Sequence, residues 1–268
     1  MKNQAGLVDW ISREERKTNF LLGDDSINYP KQITEYSVAS GNAYYHIESM
    51  IDWIQQAEPN WSPHLNLVAT TNVGGGFSFC NAYYRRNMGE MVFLASSPNC
   101  PNAAYSTIIR HEFGHAFLES LGFQEGEIED FFGFHEGVAD TVAALSFDTY
   151  CMGLDFDGDG AGCYRDYSNL PYERPYVWPA GMEYGPHQRG MPLAASFWEL
   201  RMALGGKYFL EVGRTIAQNL FVTAIMQNKN GLTPQIGLDV ERVDAEIYHG
   251  AHQNLIRKTF GARGLYPR

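Results

Sequence analysis

Several things are scarce in this sequence, and each shortage removes a class of explanation. No apolar run approaches the roughly 20 residues that a membrane-spanning helix needs, so insertion into a membrane is not expected. Basic residues are the minority, with 20 Lys and Arg against 31 Asp and Glu, a net charge of −11. That balance opposes nucleic acid and anionic membranes as partners. Internal repeats and low-complexity tracts are absent, which argues against a repeat architecture. The opening Met1-Lys2-Asn3-Gln4 has no apolar core of a signal peptide. The expectation is that a leader has been removed or that the chain is a module of a longer precursor.

Cysteine is also scarce. Cys80, Cys100, Cys151 and Cys163 are the four, and no two form a CxxC pair. An even count without CxxC suits disulfides better than a second zinc site. Three pairings are possible, and proximity in sequence favours Cys80–Cys100 with Cys151–Cys163. Disulfides would place the protein in an oxidising compartment, secreted or at a cell surface. The competing reading is four buried free thiols in a cytosolic protein. What is plentiful is apolar material, 44% of 268 residues, enough for a sizeable core in one or two lobes.

The informative stretch is 102–140. Asn102 can cap a helix starting at Ala103, and Ile108, Ile109, Phe113, Ala116, Phe117 and Leu121 recur at helical spacing up to a stop at Gly122. Within it stands His111-Glu112-Phe113-Gly114-His115. Residues four apart leave one face of a helix, so His111 and His115 can share one zinc ion. Glu112 between them would serve as general base toward a zinc-bound water. A bare HExxH also arises by chance, as a buried helix with two satisfied histidines. The next segment weakens that alternative. Twenty residues separate His115 from Glu136, enough for a turn and a returning helix, so Glu136 can supply a third ligand. Asp140 lies one turn further, placed to accept the free ring N–H of a ligating histidine, with His111 the expected partner. Ala139, Val142, Ala143 and Phe147 point to a buried second helix, where ionisable groups need partners.

HExxH followed by Glu136 and Asp140 resembles the thermolysin-like zinc peptidases and the related fungalysins. The resemblance touches most of the chain, but only at a few anchor points. It implies an α+β, two-lobed zincin: a β-rich N-terminal lobe, a central active-site helix, and a mainly α-helical C-terminal lobe. The soft boundary falls at the end of that helix, giving lobes of 1–121 and 122–268. It further implies a zinc metalloendopeptidase acting on extended protein or peptide substrates, expected as a monomer. Cys80-Asn81-Ala82-Tyr83-Tyr84 resembles the family's edge strand, so Asn81 and Ala82 would hold substrate backbone by strand addition. Arg174 is the candidate for the arginine that binds a substrate carbonyl. His187, in Tyr184-Gly185-Pro186-His187-Gln188-Arg189-Gly190, matches the histidine that stabilises charge on the carbonyl oxygen, with Glu183 as its expected partner. Three departures stand out. His135 replaces the usual Asn before the ligating Glu, Arg189 replaces an Asn after His187, and the family's tyrosine between second histidine and glutamate is missing. The alternative function is a catalytically weak or inactive zinc- and calcium-binding extracellular module. Retention of Glu112 speaks against it, since a structural site needs no base.

The rest of the chain supports an α+β reading. Residues 1–35 form an irregular or short-stranded arm with turns at 23–25 and 28–30. Gly41 to Ala57 is a helix with Tyr44, Ile47, Ile51 and Ile54 on one face. Leu65 to Thr71, Gly76 to Tyr84 and Met91 to Ala95 read as strands. Asp155-Phe156-Asp157-Gly158-Asp159-Gly160, with Asp166 at the twelfth position, fits a calcium loop of EF-hand type, so Asp155, Asp157, Asp159 and Asp166 are candidate ligands. Residues 167–190 look like a long ordered loop over the site. Helices then follow over Pro192–Leu204, Tyr208–Gln227 and Val240–Phe260.

Overall fold

Leu67–Val73 is rich in β-branched residues and buried at all but one position, as suits an interior strand. In a computed structural model, which describes residues 8–12, 35–63, 66–74, 80–98, 100–123, 125–156 and 162–267, this strand is β2. It stands in a four-stranded sheet of order β1-β2-β4-β3, with β1 at Val8–Ser12, β3 at Ala82–Arg85 and β4 at Glu90–Leu94. β1, β2 and β4 run parallel, while β3 pairs antiparallel with β4 and forms the sheet's edge. The register slips between Thr70 and Val73. Asn72 sits there at φ 58°, a left-handed conformation that Asn tolerates better than most residues. The 23–25 and 28–30 turns lie outside the described residues.

Helix α1 (Glu35–Ala57) is the crossover between the parallel strands β1 and β2, and buries Ala43, Ile47, Met50 and Ile54. It begins earlier than Gly41, the residue that limits the helix in sequence terms. Helix α2 (Ser106–Ser120) starts later than Ala103 and has no side-chain cap. Asn102 is committed locally instead. Its Oδ1 accepts from the Ala104 N–H at 3.0 Å, and its Nδ2 donates to Glu35 at 2.8 Å and Asn72 at 3.0 Å. At the other end Gly122 adopts φ 78° and its N–H reaches the Glu119 carbonyl, the expected stop.

Helix α3 (Phe131–Phe147) returns beside α2. Phe147 is an exception to its buried face, being 46% exposed. A hairpin of β5 (Cys151–Leu154) and β6 (Cys163–Asp166) follows. Both disulfides are those favoured by proximity: Cys80–Cys100 and Cys151–Cys163. The remainder is helical: α4 (Pro186–Lys207), α5 (Leu210–Gln227), α6 (Gln235–Tyr248) and α7 (Gln253–Ala262). α4 opens before Pro192, because Pro186 supplies the fixed φ suited to a first helical position. The span from Val240 to Phe260 is two helices. His249 and Gly250, both at positive φ, turn the chain between them. None of residues 167–185 lines the cleft at His111 and Glu136. The buried Arg263 side chain draws the carbonyls of Leu170 and Pro171 toward the C-terminal helices at 3.0 and 2.8 Å. One apolar cluster, from Ala39 to Leu265, runs through sheet and helices alike. None of the described helices is long and apolar enough to cross a membrane.

Candidate metal centre

Close helix packing makes the centre possible. A Cβ on Gly114 would lie 2.5 Å from the Ala139 Cα, and one on Gly190 only 2.4 Å from the Gly137 nitrogen. Only glycine lets backbones meet this closely. The first contact seats α3 against α2, and the second seats α4 against α3. Glu136, next to Gly137, is thereby brought to the histidine pair of α2.

The donors converge on one carboxylate oxygen. Glu136 Oε2 lies 3.2 Å from His111 Nε2, 3.7 Å from His115 Nε2 and 2.7 Å from His187 Nδ1. The oxygen is buried and faces these three ring nitrogens. His111, Glu136 and His187 each offer one donor atom, all within 4.8 Å of one another. Imidazole and carboxylate together are the donor set that suits zinc, so these residues fit a metal ion.

Asp140 sits behind them, fully buried. Its Oδ1 accepts from His111 Nδ1 at 2.7 Å, which fixes the ring with Nε2 toward Glu136. The same carboxylate is gripped by Arg165, at 2.6 Å from Nη2 and 2.9 Å from Nε. Burial alone would raise the Asp140 carboxyl, but the Arg165 charge and the His111 bond hold it well below its ordinary range. Burial likewise opposes charge on His111. The hydrogen bonds and charges of Asp140 and Glu136 outweigh it and lift the imidazole to about 10. For His115, burial wins and the imidazole falls to about 4.

Glu112 is buried 5% exposed on the same helix, and burial pushes its carboxyl up to about 7 despite the opposing charge of His111. That value is near neutrality, where a group both accepts and returns protons readily.

These residues open onto a cleft of about 320 Å³, whose other wall is β3. Asn81, Ala82, Tyr83 and Tyr84 line it together with His111, Glu112, His115, Glu136 and His187. The edge strand and the candidate metal-ligand cluster therefore share one cavity. Tyr84 donates its hydroxyl to Glu119 of α2, tying strand to helix.

Some expectations are corrected. Arg174 is exposed and does not line the cleft. Arg165 lines it instead, carried in by the β5–β6 hairpin. The sequence signal for Arg165 was faint: an arginine two residues after Cys163, on a strand that a disulfide folds back beside the end of α3. His187 lies within the first turn of α4 rather than before the helix, and Glu136, not Glu183, meets its ring. Arg189 holds Asp130, the N-cap of α3, at 3.0 Å, and so anchors the turn that carries His187. His135 is buried and stacks on His115 with centroids 5.7 Å apart, both its nitrogens without a hydrogen-bond partner among the described residues. Phe123, Phe131, Phe132 and Phe134, standing where the tyrosine is missing, do not line the metal cleft. Of the calcium candidates, Asp155 and Asp166 flank the hairpin loop, and Asp166 accepts from the Ser168 N–H at 2.7 Å. Asp157 and Asp159 lie outside the described residues.

No family model matches the sequence, and no curated protein matches it. Solved structures do. A precursor of protealysin, a metalloproteinase from Serratia proteamaculans, superposes with a TM-score of 0.73. The likeness covers 96% of this chain and 87% of that one. The chain has that precursor's fold. Sequence identity is 15%, so the likeness speaks for fold alone.

Proposed function

We propose that the protein is a secreted, zinc-dependent endopeptidase. The observation that carries this is a buried carboxylate of raised proton affinity, Glu112, lying between two histidines that meet Glu136 in a cleft walled by β3, the edge strand of the described sheet.

His111, His115 and Glu136 would hold the ion. Bound there, zinc would polarise a scissile carbonyl and acidify a water molecule. Glu112 takes a proton at its carboxylate and returns it to the departing amine. The free edge of β3, with Asn81 and Ala82, aligns an extended peptide backbone. Arg165, locked onto Asp140, presents its remaining N–H groups to a substrate carbonyl. His187, half exposed at the cleft mouth, donates to the negative charge that develops on the carbonyl oxygen. The two disulfides support an extracellular setting. Calcium at Asp155, Asp157, Asp159 and Asp166 completes the reading, since an ion offsets the repulsion of carboxylates crowded in one loop.

The test is hydrolysis of an unbiased peptide library, with and without chelator, by the parent and by Glu112→Gln. The amide keeps the size of the side chain but cannot take up a proton at neutral pH. Cleavage should vanish with chelator, return with zinc, and be lost in Glu112→Gln while metal content and melting temperature hold. Equal turnover in Glu112→Gln would remove this residue from the chemistry. Retained zinc without any cleavage would favour the binding-module alternative.

A further inference from the structure

We infer that Arg86 selects substrates bearing a carboxylate side chain on the N-terminal side of the bond to be cut. The inference rests on the peptidase reading above and deepens it.

Arg86 follows directly on β3 and lines two adjoining cavities. One is the metal cleft and the other lies between the β3–β4 turn and the start of α3. Its guanidinium carbon stands 4.6 Å from the Phe131 ring centroid and 5.6 Å from that of Phe132. Contact with aromatic faces holds the planar group while leaving its in-plane N–H donors free.

Those donors have no hydrogen bond or ion pair among the described residues. The contrast with other arginines is informative. Arg165 holds Asp140, Arg189 holds Asp130, Arg201 holds Asp148, and Arg85, next door, holds Glu90. Glu119 shares the second cavity with Arg86 but is already engaged, by the Tyr84 hydroxyl and by the Asn87 N–H at 2.5 Å. Glu125, on the exposed rim, forms no ion pair among the described residues. In a chain with 31 acidic residues, an exposed guanidinium packed on two rings beside a peptide cleft, with no carboxylate partner among the described residues, is suited to a carboxylate from outside, which it can grip with two parallel bonds.

Polarity follows from the strand. An antiparallel pairing is the more stable way to extend a sheet edge. β3 runs from Ala82 to Arg85, so an antiparallel peptide enters at the Arg85 end and its N-terminal part lies by Arg86.

The experiment uses the zinc-loaded full chain and peptide pairs differing by Glu against Gln. The substitution is walked through each position on both sides of the cleaved bond. At positions N-terminal to the cut, Glu should raise kcat/KM about tenfold over Gln, as one charge-assisted bidentate contact allows. Arg86→Gln should bring that ratio to about one, and Arg86→Glu should favour Lys at the same position. Equal rates for Glu and Gln throughout, or a Glu preference confined to the C-terminal side, would overturn the inference while leaving the peptidase reading intact. If no peptide is cut, the peptidase reading fails, and fluorescence anisotropy of the same peptides still decides the role of Arg86. Tighter binding of the Glu peptide that Arg86→Gln abolishes supports it, and equal binding refutes it.

Discussion

Replacing Asp140 by Asn should unsettle this protein more than any surface change, and the contacts say by how much. The aspartate accepts three bonds: from His111 Nδ1 at 2.7 Å, from Arg165 Nη2 at 2.6 Å and from Arg165 Nε at 2.9 Å. Asparagine keeps one acceptor oxygen and turns an amide, itself a donor, toward the remaining N–H groups. Arg165, with its side chain only 10% exposed, would then carry an uncompensated charge. Breaking one side of such a buried pair costs about 3–5 kcal/mol. The same change frees the His111 ring and should weaken zinc binding by about 10–100-fold. Urea unfolding of the metal-free protein reads the first effect, and competition with a chromogenic chelator reads the second. Combining Asp140→Asn with Arg165→Met removes the stranded charge, so the double variant should recover much of the lost stability. A loss below about 1 kcal/mol in the single variant, or a double variant no better than the single, would refute the charge-pair account.

His187→Ala should lower kcat by about a hundredfold while zinc content stays constant; a parallel loss of zinc would make His187 a ligand instead. The metal-free protein should lose stability in alkali. Because His111 is lifted from 6.5 to about 10, its contribution is complete below pH 6.5 and fades as pH rises through about 10. Melting temperatures in chelator should fall across that window, and a flat profile would contradict the His111–Asp140 pairing. Millimolar calcium added to metal-stripped protein should raise the melting temperature through linkage, and Asp155→Asn with Asp166→Asn should abolish that rise.

Local periodicity explains what could be read in advance. His111, Glu112 and His115 share one helix, and Glu136 and Asp140 share the next, so residue spacing alone sets their faces. A single returning helix then suffices to bring the two sets together. Arg165 escaped because its place depends on where a hairpin lands beside a helix, which no periodicity encodes. Arg174 stands out by resemblance alone; it is exposed away from the cleft lining, in a segment whose Leu170 and Pro171 carbonyls are bound by Arg263. Asn102 has the chemistry of a helix cap, yet its bonds to Ala104, Glu35 and Asn72 use the same side chain elsewhere. Pro192 reads as a boundary by its missing N–H, whereas Pro186 starts the helix a turn and a half earlier.

The meeting of Gly114 with Ala139, and of Gly137 with Gly190, has a consequence for how such a protein can drift or be engineered. None of the four residues offers a side chain able to hold metal or take a proton. Even so, a methyl group at any of the three glycines would collide with neighbouring backbone and push a whole helix outward. In a saturation library these glycines should tolerate substitution as poorly as His111 or Glu136, and inserting bulk there would damage activity without altering any chemical group. A designer seeking to transplant the centre into another scaffold would have to copy the spacing of the helices before copying the ligands.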